Sequence, residues 1–574
     1  MVLTRGFFGG GEADYVQLLV DGAPAHDSES GLADWQRVRS WSTELVEARR
    51  GPSSSLYGDG SLGGVVQVFT RRGPYAGGSI SKGNLGQLAF DGGAAGRFGP
   101  IAAGATATAS ASQGFRSHST ATQRGATLFV DRSAGHGWTA RASTERRHQD
   151  DPGPRTAREL VEDRLGSDPM FRFDRETVRR ARASAGYVRT GESFLFAVDG
   201  YTGWRDSDRT RTLLLIPGVG SRVARNVATI SAGSHLQLQT QTLRDGTGRV
   251  GLELGTDRVR STYHPVSDQG AAESNVGRMD GRRSKVGVYA TQSVNLGQNA
   301  RIAGGIRWDR VADRFDAATS GTSVRQAWSP RLGMTYRLHG GEASSSSLYA
   351  QVAKSFKAAT VDQLFDPRPF PNFDGGSFVI SNPALEPQRA TNLEAGIRHD
   401  RATGRVELVG YRMTVANEID FDPSTFTYGN IGRTRHTGVE AEARWRELSV
   451  AYTWTRVQAT TRPGHQLKNI PRHILRPTVH VQLPWDLRAT GAYTRTWRTF
   501  ADDANLVQLG DRASLDLRLT RGFGPVRASV DALNVSGDRS EEVGFTLMDF
   551  QRNVVPYFFP GAGFSARMSI EVRF

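Results

Sequence analysis

The chain has 574 residues, no cysteine, 66 glycines and a formal net charge of +14. The lack of cysteine excludes a disulfide framework and any thiolate metal site. Mean hydropathy is −0.44, and apolar runs such as Leu213-Leu214-Leu215-Ile216 fall far short of the ~20 residues of a spanning helix, which excludes a helical membrane protein.

In chain order, the first residues, Met1-Val2-Leu3-Thr4-Arg5-Gly6, carry neither the apolar stretch nor the small-residue cleavage site of an export signal. Either the protein is cytoplasmic or its true start lies upstream of them, and the pattern downstream favours the missing start. Residues 1–73 read as a small folded domain. Tyr15-Val16-Gln17-Leu18-Leu19-Val20 is a short apolar strand ended by the turn Asp21-Gly22-Ala23-Pro24, and Gly63-Gly64-Val65-Val66-Gln67-Val68-Phe69-Thr70 is another. Between them Gly58-Asp59-Gly60-Ser61-Leu62-Gly63 fits G-x-G-x-x-G. A dinucleotide fingerprint must follow a strand and open a helix, so that helix amides meet the pyrophosphate. This one precedes a strand, and its glycines are expected to serve a tight loop.

From residue 74 onward the pattern changes to period 2. Leu393, Ala395 and Ile397 alternate with Asn392, Glu394 and Arg398; Val439, Ala441, Ala443 and Trp445 alternate with Glu440, Glu442 and Arg444. Leu515, Leu517 and Leu519 alternate with Asp516, Arg518 and Thr520, and Val526, Ala528, Val530 and Ala532 alternate with Arg527, Ser529 and Asp531. From Phe564 to Phe574 apolar and polar residues alternate without exception. Period 2 means one apolar and one wet face. A soluble β-sandwich alternates too, but here the polar phase is heavily charged and the runs exceed the usual ~5–6 residues.

Short turns are expected near Arg97–Ile101, Ser133–Gly137, Arg189–Ser193, Arg244–Gly248, Asn295–Ala300, Leu338–Glu342, Arg401–Gly404, Arg446–Ser449, Leu483–Asp486 and Arg521–Pro525. Longer segments separate them, with irregular charged loops expected at Asp150–Arg182, Val361–Pro387 and Asn417–Thr437. Short turns on one side and long loops on the other are the asymmetry of outer-membrane barrels. Ten turns, with both chain ends on their side, require eleven long connections and so 22 strands. The expected fold is an all-β membrane protein: a 22-stranded antiparallel transmembrane barrel at 74–574, with residues 1–73 as a plug inside a lumen too wide for side chains to fill. Trp445, Tyr452, Trp454, Tyr493, Trp497 and Phe574 are expected as interfacial girdle residues.

The first domain resembles the plug of TonB-dependent receptors. Arg5-Gly6-Phe7, then Leu19-Val20-Asp21-Gly22-Ala23-Pro24, then Glu47-Ala48-Arg49-Arg50-Gly51-Pro52-Ser53-Ser54-Ser55-Leu56-Tyr57-Gly58 and Gly63-Gly64-Val65-Val66-Gln67-Val68 carry the resemblance. Barrel words similar to the family's follow: Ser355-Phe356-Lys357-Ala358, Asn382-Pro383-Ala384-Leu385-Glu386-Pro387, Asn430-Ile431-Gly432 with Gly438-Val439-Glu440, Ile470-Pro471-Arg472-His473, Asn534 and the terminal Phe574. One departs: Pro560-Gly561-Ala562 stands where the family often has Pro-Gly-Arg.

The resemblance implies a receptor in the bacterial outer membrane, surrounded by lipid and lipopolysaccharide, monomeric, without a cofactor or resident metal. It implies active import of a scarce chelate, ferric siderophore or cobalamin, energised by the TonB–ExbB–ExbD complex. The match begins partway through the plug, so the segment that TonB grasps is expected to be absent from this chain, with an internal start codon as the explanation.

The resemblance also implies an ionic lock between Arg5 and Arg50 of the plug and Glu394 and Glu440 of the inner wall. The alternation independently places both glutamates on the lumen side, where the alternative is that they simply face water. Buried carboxylates need partners, and guanidinium is the best available. Outward plug loops, Ala25–Asp34 and Ser53–Asp59, are expected to meet ligand. Ser55, Tyr57 and Asp59 are the candidates there, although Tyr57 could equally pack on the wall. The arginine-rich segment Arg172–Arg182, read as an outer loop, could attract an anionic chelate, bind lipopolysaccharide phosphate or be solvated.

Two other functions compete. A barrel-embedded hydrolase would need a nucleophile–base constellation, but neither G-x-S-x-G nor H-E-x-x-H occurs and the 12 histidines are scattered. A passive porin or adhesin would have no use for the plug. The chain is therefore expected not to be an enzyme. Nucleic acid is not an expected partner, since arginine is spread along the chain rather than gathered in a block.

Overall fold

The alternating segments pair in sequence order, each antiparallel to the next. The last, Ser565–Arg573, returns to pair with the first, Tyr75–Gly83. In the computed structural model, residues 2–9, 15–132, 136–242, 245–274, 277–317, 320–341, 343–368, 370–371, 377–422, 425 and 427–574 are described, and they form a closed antiparallel barrel of 22 strands. Two consecutive segments, Gly321–Trp328 and Arg331–Gly340, both pair with Ala300–Asp316. They are one strand broken at Ser329-Pro330, where proline offers no N–H to the ladder.

The two phases of each strand separate as lipid and lumen demand. Leu393, Val439, Leu517, Leu519, Met568 and Ile570 are exposed on the outer face. Asp531, on the other phase, is buried between Arg518 and Arg567. One strand departs from the rule. In Gly404–Ala416 the apolar phase crosses the wall: Val406 and Leu408 are exposed outside, whereas Val409, Tyr411, Met413 and Val415 are buried inside. There the plug replaces water as the inner neighbour, and Phe7, Leu62, Met413, Val415 and Ala390 form one dry cluster.

Short turns close the barrel where the sequence places them, for example between Phe98 and Ile101, Trp445 and Leu448, and Phe523 and Val526. Those near Ser133–Gly137, Arg244–Gly248 and Leu338–Glu342 fall partly outside the described residues. The long connections are more ordered than their composition suggests. Phe194–Ile216 and Val219–Thr242 pair nearly to the tip, where only Pro217-Gly218 intervene. The segment Arg172–Arg182 is not an outer loop: from Arg175 it is strand, hydrogen-bonded on both sides. Arg180 and Arg182, alternate residues of the strand, point to the lumen, where Arg180 meets Asp34 of the plug and Arg182 the Pro24 carbonyl. Within 417–437, Ile419–Asp422 and Thr427–Asn430 form a small hairpin, and the barrel strand resumes at Arg433.

The N-terminal residues build a four-stranded sheet inside the barrel. Val16–Val20 runs parallel to Gly64–Thr70, flanked by Ala23–Pro24 and Thr43–Arg50. Leu18, Ala25 and Val68 are its buried core, with Trp35, Val38 and Val66 packed against them. The G-x-G-x-x-G segment is the loop its position requires. Gly58 and Gly60 have φ of 68° and 86°, the Ser61 hydroxyl donates to the Gly58 carbonyl, and the chain then enters the strand Gly64–Thr70.

Candidate functional site

The plug is fixed to the wall through a hairpin tip. Val2–Thr4 pairs with Phe7–Gly9, leaving Arg5-Gly6 as a two-residue turn with φ of 50° and 78°. Positive φ at both positions is the conformation that matches strand twist in tight hairpins. Glycine adopts it freely, whereas arginine is strained there, and what Arg5 meets offsets the strain. Its Nη1 pairs with Glu394 Oε2, and its Nε lies 3.8 Å from Glu440 Oε1. The guanidinium stacks 4.8 Å from the centre of the Tyr411 ring. His436 Nδ1 donates to the Arg5 carbonyl at 3.0 Å, and Phe7 stacks on Tyr15 and lies tilted against His436, with ring centres 4.5 and 4.6 Å apart.

Arg50, half-exposed, reaches Glu440 at 3.3 Å and Glu442 at 3.4 Å. The structure therefore brings all four expected residues together and adds Glu442. The two arms differ in weight. Arg5, Glu394 and Glu440 are under a tenth exposed, where neutralising one partner is costly; the exposed Arg50 arm is worth far less.

At the opposite end of the plug, the loop Ala25–Asp34 is already engaged. Arg225 on the wall pairs with Glu29 of the plug and, at 2.7 Å, with Asp362 on the short helix Val361–Phe365. That helix is held in the lumen by a dry cluster with Val227, Val259, Met279 and Phe315. Asp27 meets Arg205 at 2.9 Å, Ser28 donates to Asp257 at 2.8 Å, and Asp34 is held by Arg147 at 3.3 Å and by Arg180. Two carboxylates and a hydroxyl on the plug thus engage four inward groups on the wall. His26 beneath them is half-buried, and its desolvation pushes the imidazole down to about 4.

Between the plug and the wall lies a cavity of about 330 Å³. Tyr57 and Asp59 line it; Ser55 does not, being buried at the short helix Ser54–Tyr57. Tyr57 packs beneath Arg49, whose guanidinium carbon lies 5.9 Å from the ring centre. Asp59 accepts from Lys285 Nζ at 3.0 Å and from the Ala358 N–H at 2.8 Å. Burial raises its carboxyl, but those two partners outweigh it and hold the group at about 2. Arg307 Nη1 donates to the Leu56 carbonyl at 3.2 Å while its other nitrogens hold Glu253 and Asp309, so this plug loop is gripped from the wall as well.

Tyr411, His436 and Arg307 were missed by sequence reasoning. Tyr411 is the direct cross-strand partner of Glu394, and a register derived from the turn at Arg401–Gly404 would have found it.

Residues 115–536 match the family described as TonB dependent receptor-like, beta-barrel, and residues 2–65 match the TonB-dependent receptor plug domain. Among solved structures the chain is similar to the ferric yersiniabactin uptake receptor from Yersinia pestis, with TM-score 0.80, 17% identity, and 99% of this chain and 91% of that one covered. It is similar to a ferric citrate transporter in its unliganded form, with TM-score 0.81, 17% identity, and 99% and 90% covered. A copper transporter matches with TM-score 0.78 and 15% identity over 99% and 91%.

Proposed function

The chain belongs to the TonB-dependent receptors of the bacterial outer membrane, and from that premise we propose that it imports a ferric siderophore, or cobalamin, by transport energised through TonB. The family is one of transport receptors rather than enzymes. We take residues 1–73 as the plug and 74–574 as the barrel, a division supported by the first barrel strand beginning at Tyr75. Solved relatives of the same fold are named for ferric yersiniabactin, ferric citrate and copper, so fold alone does not choose the cargo.

The observation that carries the reading is the buried Arg5–Glu394–Glu440 cluster, with the Arg225 bridge at the other end of the plug. A ligand arriving by diffusion has no means of breaking two buried charge networks at once, so the plug opens only when work is done on it. Ligand contact is assigned to Tyr57 and Asp59, which face the cavity; Ser55 acts by packing. The plug–wall cluster of Arg5, Arg50, Glu394 and Glu440 serves as the lock.

Uptake in cells tests this directly. Radiolabelled ferric siderophores, cobalamin, oligosaccharides and nickel chelates are supplied with and without an intact TonB system. Accumulation of one chelate that stops when TonB is removed is the expected result; accumulation indifferent to TonB would refute it. Liposome swelling addresses the passive alternative, since free sugar flux through the intact chain would make it a porin.

A further inference from the structure

The wall arc facing the plug is lined by short hydroxyl side chains, among them Thr106, Thr108, Thr127, Ser143 and Ser184, and the space they leave is the cavity. Onto it project arginines from both sides. On the strand Arg175–Thr190, Arg180 is matched by Asp34. Its neighbour in phase, Arg182, has no carboxylate partner among the described residues: Nη1 donates to the Pro24 carbonyl at 2.8 Å, Nη2 is buried without a hydrogen bond, and the guanidinium rests 4.6 Å from the centre of the Tyr201 ring. From the plug, Arg37 aims Nη1 at the same Pro24 carbonyl at 3.5 Å and likewise makes no ion pair among the described residues. Arg39, also on the cavity, has a buried Nη2 without a partner.

Two guanidinium groups converging on one neutral oxygen leave most of their charge and donors unmet, which a buried site tolerates poorly. The planar fork of arginine matches carboxylate and phosphate oxygens two at a time. Consistent with an excess of positive charge, burial and then the nearby Arg182 and Arg180 bring Arg37 down to about 9.

We propose that Arg37 and Arg182 form a seat for one oxyanion group, a carboxylate or a phosphate, in the cavity between plug and wall. One arginine belongs to the plug and the other to the wall, so the seat is complete only while the plug is in place. Displacing the plug dismantles it and releases what it holds, and by linkage a bound anion favours the seated plug. The seat deepens the transport reading by giving anionic cargo a stop inside the lumen, yet its occupancy is measurable without transport.

Citrate and inorganic phosphate are titrated calorimetrically into the full chain in micelles, against chloride at equal ionic strength. Saturable binding that chloride does not reproduce is expected, weakened at least tenfold in R37Q and in R182Q. It should be unchanged in R260Q, which alters an exposed arginine paired with Asp280. The stronger of the two probes identifies the oxyanion class. Heat-dependent electrophoretic mobility confirms that each variant is a folded barrel. An unchanged isotherm in the R37Q/R182Q double variant, or no saturable binding to the wild type, overturns the proposal. Loss of import with binding intact would refute the transport reading and leave the seat standing.

Discussion

Replacing Glu394 with glutamine keeps the shape of the plug seat and removes one charge. Arg5 and Glu394 side chains are 3% and 8% exposed, so water does little to screen the loss. Neutralising one partner of a buried pair costs about 3–5 kcal/mol. Glu440 remains 3.8 Å from Arg5 Nε and shares the charge, which places E394Q at the lower end, about 3 kcal/mol. At about 1.4 kcal/mol per tenfold, the unseated plug should become roughly a hundredfold more populated. Hydrogen exchange at the plug-core amides of Leu18 and Val66 reads this directly, and sugar leak into liposomes reads its consequence. The cycle with R5Q is sharper still. Once Glu394 is neutral, removing the Arg5 charge should cost far less than in the wild type, because the two act as one unit. Unchanged exchange and leak in E394Q, or R5Q and E394Q effects that simply add, would show that the seat is held by something else.

The turn that presents Arg5 should be equally sensitive. Gly6 has φ of 78° and a Cβ there would collide with Val457 Cγ2, so G6A should cost about 1–3 kcal/mol of plug seating, and leak equal to wild type would contradict this. His26 stays neutral in the fold to about pH 4, whereas an unfolded histidine protonates near 6.5. Plug stability should therefore fall as pH drops from about 6.5 to 4, by up to about 3 kcal/mol, and not further below. H26Q should flatten that slope in plug hydrogen exchange; an identical slope in the variant refutes the assignment. On the terminal strand, I570R places a charge on the lipid face and should cost about 2–4 kcal/mol, while S569R on the lumen side should be tolerated. Equal losses of folded barrel in bilayers would invalidate the assignment of faces.

Local alternation was enough to place Glu394 and Glu440 inside the barrel and Met568 and Ile570 outside, because lipid imposes one demand along the whole outer face. It does not account for Met413 and Val415, which face inward. An apolar residue facing the lumen is sensible only once the plug is known to cover it, and that partner lies some 350–400 residues away in sequence (Phe7, Leu62). The same reason explains Arg172–Arg182. Dense charge reads as a solvated loop until Asp34 is brought against Arg180 from the plug. Tyr57 and Asp59 line the cavity whereas Ser55 is buried, a difference not legible in Ser53–Asp59, where nothing reveals which side of a four-residue helix packs inward.

The paired hairpin Phe194–Thr242 is longer than a membrane crossing requires. A strand of 24 residues extends roughly 80 Å at ~3.3 Å per residue. Tilted by about 45°, it climbs some 55 Å, about twice the ~25 Å apolar band. Its upper half is therefore a stiff palisade standing clear of the bilayer, hydrogen-bonded almost to its crest. Such a fence bends as one piece and cannot fold over an incoming molecule the way a slack loop does.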